Sequence, residues 1–370
     1  MKLLFWLCCV LVAYAYVGYA VVLGICAHMR LRPIRKASLR LSVSIVMAVK
    51  NEAANLPAKL ANLNLLDYPR ELLQIVVVSD GSTDQTSDIL QRRIPDVLPV
   101  VLPESQGKAA ALNAAVPHTT GQILMFIDAR QILDANAVTE LVSCFADNNI
   151  GGVSGELLLE TDSIQTPANA LGIYWKIEKA LRKLESATGS VVGVTGAIYA
   201  IRRELYVDLP PSTILDDVLV PMNIVRQGKR VIFQPTAIAR DRIFAEKGKE
   251  FSRKVRTLTG NYQLLRMAPW LLTTANPLLF RFVSHKLLRL LVPFLLILML
   301  FAAAFASGPM FHILFVLQVL FYLAAALGGL SPSIRRLKPI AIATTFVMLN
   351  AAAAVAFYNF ITGRNEVWVR

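Results

Sequence analysis

The stretch Val77-Val78-Ser79-Asp80-Gly81-Ser82-Thr83-Asp84 decides how the middle of the chain is read. A β-branched run from Gln74 to Ser79 ends in an acid, a glycine and small hydroxyl residues, and a helical pattern follows over 84–92. β-Branched side chains suit a pleated, buried surface, and Gly-Ser-Thr supplies the turn into the helix. The pattern recurs on both sides. Val43–Val49, Val97–Leu102 and Gln122–Ile127 read as strands, with helices expected over 53–66, 107–116 and 134–147. Pro99 places the third strand at an edge. This alternation implies an α/β domain with a mostly parallel, three-layer sheet, whose sites lie at the C-terminal strand ends. Asp80 emerges at one such end; Phe126-Ile127-Asp128-Ala129-Arg130 brings Asp128 to another.

Outside this domain the composition changes. The chain has 370 residues, of which 55% are hydrophobic and 17% charged, with a mean hydropathy of +0.52. That excludes intrinsic disorder and argues against a purely cytosolic enzyme. Leu3 to Ala27 carries no charge and is long enough to cross a bilayer. Lys2 before it suggests a signal peptide, but the run exceeds a secretory core of about 7–15 residues and shows no persuasive cleavage site. A retained helix is expected, with further spans at 288–307, 309–330 and 339–361. Pro293, His312, Gln318 and Asn350 interrupt these spans, and such groups should face other helices or a polar passage.

The net charge of +13 does not point to nucleic acid, because the cations flank the apolar runs. Arg30, Arg32, Arg35, Lys36 and Arg40 follow the first span, Lys286 and Arg289 precede the second, and Arg335, Arg336 and Lys338 separate the last two. All fall on one side if both termini lie outside, which makes 41–285 cytoplasmic. Residues 250–285, with Lys254, Arg256, Arg266 and Arg281 among apolar clusters, read as helices in the membrane interface. The expected division is therefore 1–29 (first span), 41–249 (α/β domain), 250–285 (interfacial) and 286–362 (three spans). Cys8, Cys9, Cys26 and Cys144 show no metal-binding spacing and fit buried thiols.

Several motifs in this order resemble family-2 glycosyltransferases of the Rossmann-like GT-A fold. The likeness is to membrane-integrated synthases of the cellulose, hyaluronan and poly-N-acetylglucosamine type. Ala48-Val49-Lys50-Asn51-Glu52 resembles P-A-Y-N-E, Asp80-Gly81-Ser82-Thr83-Asp84 matches D-G-S-T-D, and Gly107-Lys108-Ala109-Ala110-Ala111-Leu112-Asn113 matches G-K-x-x-A-L-N. The resemblance implies a nucleotide-sugar site containing Ala48, Glu52, Asp80, Lys108, Asp128 and Arg130. A carboxylate, Glu52 or Asp80, would take the base or ribose, and Lys108 would neutralise the diphosphate rather than merely open a solvated helix. Asp84 serves the site or caps the next helix. Asp128 corresponds to the first acid of D-x-D, which holds Mg²⁺ or Mn²⁺. Arg130 replaces the second acid, so either Asp128 holds the metal with phosphate and water, or Arg130 clamps phosphate in its place.

Val194-Thr195-Gly196 through Arg203 resembles the acceptor-side T-G-x-x-x-x-x-R-R segment, and Leu215-Asp216-Asp217-Val218 its acidic pair. Gly196 and Asp216 then belong to the acceptor side, and Asp217 to the base. Adjacent carboxylates oppose each other's ionisation, which suits a base, although helix capping also explains them. Arg253 and Arg256 occupy the place of Q-x-x-R-W and would hold the diphosphate; Thr257 replaces the tryptophan, which weakens processive synthesis. Together these imply an inverting transferase moving sugar from a UDP-sugar to a glycan or lipid-linked acceptor. It would work at the plasma (inner) membrane in exopolysaccharide synthesis, alone or with oligomeric or polysaccharide-export partners. The alternatives are a polyprenyl-phosphate glycosyltransferase and a silent sugar-nucleotide-binding scaffold.

Overall fold

The computed structural model of the chain describes residues 1–92, 96–160, 168–242 and 249–363. Residues 161–167 and 243–248, expected within the 41–249 domain, lie outside the described residues. The strands are β1 (Val43–Val49), β2 (Leu73–Asp80), β3 (Val97–Leu102), β4 (Ile123–Ile127), β5 (Ile132–Leu133), β6 (Ile150–Glu160), β7 (Ile198–Arg202) and β8 (Arg230–Arg242). Helices α1 (Lys2–Ala13) and α2 (Tyr19–Met29), joined by a π-helical turn, form the first apolar rod. Around the sheet lie α3 (Leu56–Asn64), α4 (Thr86–Gln91), α5 (Lys108–Ala115), α6 (Ala137–Ser143), α7 (Ala168–Thr188) and α8 (Asp216–Arg226). Beyond it come α9 (Lys249–Met267), α10 (Leu279–Phe282), α11 (Leu288–Ala304), α12 (Pro309–Leu330) and α13 (Lys338–Ile361).

One mixed, mostly parallel sheet runs in the order β3-β2-β1-β4-β7-β6-β8-β5. β1 to β4 are mutually parallel, and β6 is parallel to β8; β7 and β5 run against their neighbours. Every residue of β1 is buried. Its alternate side chains feed two cores: Val43, Ile45, Met47 and Val49 meet Leu56, Leu60 and Leu63 on one face. Val46 and Ala48 meet Ala109 and Leu112 on the other. A strand covered on both faces is why the sequence reads as an unbroken apolar run. Each such buried branched side chain contributes about 1.5–3 kcal/mol. β3, which carries Pro99, lies at the sheet edge as expected, because proline cannot donate to a second neighbour.

Four helical rods are long and apolar enough to cross a membrane: Lys2–Met29, Leu279–Ala304, Pro309–Leu330 and Lys338–Ile361. The second begins at Leu279, inside the segment expected to be interfacial. α10 continues through a π-helical turn, Val283–Leu287, into α11. Arg281 and His285 do not end the apolar helix because they face the α/β domain, where they are paired. The polar interruptions also find partners within the protein, although Gln318 Oε1 is buried without one among the described residues. Asn350 Nδ2 donates to the Tyr16 hydroxyl (3.0 Å), and Gln318 Nε2 donates to the Leu296 carbonyl (3.0 Å). His312 Nδ1 lies 3.1 Å from the Gly308 carbonyl in its own helix.

α9 is not simply laid on a surface. Val255 and Tyr262 pack with Leu290, Ala352 and Ala356 of the apolar rods. Its other face holds the loop before α8: Gln263 Oε1 accepts from the Ile214 amide (3.0 Å), and Gln263 Nε2 donates to the Ser212 carbonyl (2.8 Å). The basic segment after α2 docks likewise, with Lys36 Nζ donating to Gln234 Oε1 at 2.7 Å.

Candidate active site

The C-terminal ends of β1, β2 and β4 lie side by side, and hydrogen bonds between the loops after β1 and β2 build one side of the candidate site. Asn51, just beyond β1, adopts φ 56°. Its Oδ1 accepts from the Thr83 amide at 2.8 Å. Asp84 caps the turn into α4, accepting from the amides of Thr86 (2.9 Å) and Ala53 (3.1 Å). Glu52 Oε2 accepts from Asn55 Nδ2 at 2.6 Å, while Ala48 lies buried opposite Val78. Gly81 is required by its surroundings, since a Cβ there would stand 2.3 Å from the Ser105 amide nitrogen.

That close approach lets Asp80 hold the loop before α5. Its wholly buried carboxylate accepts from Ser105 Oγ (2.8 Å) and from the amides of Gln106 (2.7 Å) and Gly107 (2.9 Å). Asp80 is therefore engaged with the chain itself, and it positions the residue that follows Gly107. That residue is Lys108, whose ammonium lies 3.0 Å from Asp128 Oδ1 and 3.4 Å from Asp216 Oδ2. Burial works against this charge, but Asp128 and Asp216 outweigh it and hold the lysine above its ordinary value. Lys108 thus ties the end of β4 to the start of α8.

Asp217 stands beside this bridge. The Val194 amide donates to its carbonyl (2.8 Å), which pins the 193–196 segment against α8. A Cβ on Gly196 would lie 3.7 Å from Asp217 Oδ2. Asp217 Oδ1 is buried without a hydrogen-bond partner among the described residues. Burial and then the neighbouring Asp216 push its carboxyl up to about 6, against the pull of Lys286, Lys108 and Arg182. A carboxylate so tuned can take a proton near neutral pH.

The other expected residues are placed differently. Arg130 pairs with the buried Asp241 at the end of β8, which also accepts from Gln131 Nε2 at 3.0 Å. Arg253 and Arg256 lie one turn apart on α9 and take no part in the Lys108 ion pairs. Asp241 and Gln263 carry no motif that would have singled them out. Lys286 was visible only as a cation before an apolar run.

Asp128 is 39% exposed by its side chain and offers hard oxygen to a divalent ion. Among the described residues no group of three or more His, Cys, Asp or Glu side chains gathers into a cage. Asp128 is the acid that would hold a divalent cation, through hard carboxylate oxygens of which Oδ1 faces Lys108.

Residues 44–209 match the family model for glycosyl transferase family 2. The chain carries a family-2 glycosyltransferase domain. The poly-β-1,6-N-acetyl-D-glucosamine synthase of Staphylococcus aureus (strain COL) is 24% identical over 234 residues, covering 60% of this chain and 55% of that protein. The Staphylococcus epidermidis synthase of the same name is 23% identical over 239 residues, 62% of this chain and 56% of its own. This chain thus spans about half the length of the curated relatives it matches. Among solved structures, the mannosyltransferase PcManGT from Pyrobaculum calidifontis, in complex with GDP-Man and Mn²⁺, superposes with a TM-score of 0.72. It is 24% identical, and the match covers 97% of this chain and 99% of that one, so the shared GT-A fold extends through the apolar helices. The family-2 model ends before α8; Asp216 and Asp217 reach the site by the fold, not by that match.

Proposed function

We propose that this family-2 glycosyltransferase is an inverting enzyme that moves a sugar from a UDP-sugar onto a hydroxyl of a glycan or membrane-bound acceptor, in exopolysaccharide synthesis. The observation that carries the reading is Lys108, which binds Asp128 on the donor side and Asp216 on the acceptor side through one ammonium. Donor and base are thereby held on opposite flanks of one point. The relatives named for N-acetylglucosamine polymers support a donor of that class.

In the proposed reaction the acceptor oxygen attacks the anomeric carbon while the bond from that carbon to the diphosphate oxygen breaks. Asp217 takes the acceptor's proton, and the bonding electron pair leaves on the diphosphate. Lys108, a partly buried cation, offsets that charge. A divalent cation on Asp128 would supply Lewis-acid stabilisation of the same oxygens. Arg253 and Arg256, on one face of α9, are proposed to reach the departing diphosphate from the membrane side. The cation clusters at 30–40, 286–289 and 335–338 support a cytoplasmic site in the plasma membrane with both termini outside.

The test is nucleotide release from the purified full-length chain with UDP-GlcNAc, UDP-glucose and GDP-mannose, with Mg²⁺, Mn²⁺ or chelator. Release from one UDP-sugar, dependent on metal, is expected. Turnover of GDP-mannose alone overturns the donor assignment, and release indifferent to chelator overturns the metal.

A further inference from the structure

Residues 281–289 are where the second apolar rod meets the catalytic domain, and their polar side chains are held one by one. Arg281 Nη1 donates to the carbonyls of Glu185 (2.6 Å) and Ser190 (2.8 Å), and Nη2 donates to Thr188 Oγ1 (2.8 Å). Ser284 Oγ lies 2.9 Å from the Tyr14 hydroxyl. The His285 ring meets Glu185 Oε1 at 2.8 Å and Glu178 Oε1 at 3.1 Å. Arg289 Nη1 donates to Glu178 Oε2 at 3.0 Å. Lys286 is the exception. Among the described residues nothing accepts a hydrogen bond from its ammonium, and no ion pair holds it.

A lysine at the end of an apolar helix ordinarily reaches back toward headgroup water. Lys286 turns into the domain instead. Its Nζ lies 3.6 Å from where a Cβ on Gly193 would stand, a point 3.5 Å from the Asp217 carbonyl oxygen and 3.4 Å from Val218 Cγ2. The π-helical turn Val283–Leu287 sets this aim, because the extra residue re-registers the helix while His285 stays locked between the α7 glutamates. On the other side, Gly196 leaves the Asp217 carboxylate uncovered. The two glycines therefore leave room beside the Lys286 ammonium and beside Asp217 Oδ2, while Asp217 Oδ1 is buried without a hydrogen-bond partner among the described residues. A lysine and a carboxylate that attract each other but share no hydrogen bond gain from a ligand that completes both.

We propose that Lys286 is an acceptor-binding residue, whose ammonium holds a hydroxyl oxygen of the acceptor sugar adjacent to the one that attacks. An ammonium has three donors and no acceptor, so its ligand must offer a lone pair. A neighbouring sugar hydroxyl does so and can still donate toward Asp217. The membrane helix thereby supplies one wall of the acceptor subsite. This rests on the hydroxyl-acceptor reading above.

The test uses the full-length chain in detergent, with the UDP-sugar that is turned over and an oligosaccharide of the same sugar as acceptor. Lys286→Ala should raise the acceptor KM about tenfold or more, the size of one charge-assisted hydrogen bond, with donor Kd within about twofold. Lys286→Arg, which keeps the charge, should recover much of the loss. Gly193→Ala adds a methyl in van der Waals contact with the Lys286 ammonium (3.6 Å) while keeping its charge, and it should raise the acceptor KM too. An unchanged acceptor KM in Lys286→Ala, or an equal loss of donor affinity, overturns the assignment of Lys286 alone. Transfer to polyprenyl phosphate but to no oligosaccharide overturns the sugar-hydroxyl class. A wild-type chain that binds UDP-sugar and transfers to no acceptor overturns the proposed function and this inference with it.

Discussion

On the donor side of the sheet, charged groups arrive already paired. Asp80 accepts three hydrogen bonds, Lys108 is shared between Asp128 and Asp216, and Arg130 is answered by Asp241. Across α8, on the proposed acceptor side, the reverse holds: Asp217 Oδ1 and the Lys286 ammonium have no hydrogen-bond partner among the described residues. A paired network fixes geometry before the ligand comes, whereas an unpaired one gains its missing contacts only from the ligand. Donor binding should therefore tolerate changes on the acceptor side, and acceptor turnover should not.

The comparison is broken most forcefully at Asp217. Asp217→Asn removes the proposed base and should lower transfer about 10²- to 10⁴-fold while UDP-sugar binding persists. The wild-type rate should also rise with pH through about 6, because the base must be deprotonated to act, and this acid limb should vanish in the variant. Transfer at the wild-type rate by Asp217→Asn sinks the base assignment. Next in size is Lys108→Met, expected to weaken donor-dependent kcat/KM about 10- to 100-fold, the worth of lost charge-assisted bonds. If only the acceptor KM moves, Lys108 belongs to the other half. The smallest effect is expected at Arg130. With its guanidinium held by Asp241, Arg130→Met should change kcat/KM less than about threefold. A tenfold fall would mean that Arg130 leaves Asp241 for the diphosphate.

The donor half was the more legible in sequence for a physical reason. Its residues sit at strand-to-helix turns, where an acid, a glycine and small hydroxyls must follow one another within a few positions. Val43–Val49 and Val97–Leu102 are strands with the expected ends, and Gly107-Lys108 opens α5 as expected. The acceptor half is assembled from distant pieces. Even on the other half, Arg130 and Asp241 are 111 residues apart, and the antiparallel pairing of β5 with β8 brings them together without any local pattern. Lys286 reads as a membrane-flanking cation because composition beside an apolar run cannot tell a side chain aimed at lipid headgroups from one aimed at Asp217. The apolar rods were legible throughout, since hydropathy depends on length and composition alone, except where α10 begins earlier than the run suggests.

The clasp of Glu178 and Glu185 around His285 bears on how the chain comes to be made. Tyr19 of the first rod donates to Glu185 Oε1 at 2.6 Å, so three stretches of chain close on these two acids. Glu185 leaves the ribosome 100 residues before His285, an interval of about 5–20 s at ordinary synthesis rates. During that interval His285 and Arg289 have not yet been translated, and Glu178 has only Arg182 of its own helix within ion-pair reach. Tyr19 and His285 thus tie α7 to two apolar rods, so the face that holds these acids is complete only when the second rod is in place. The domain cut out on its own would carry a permanently unfinished face.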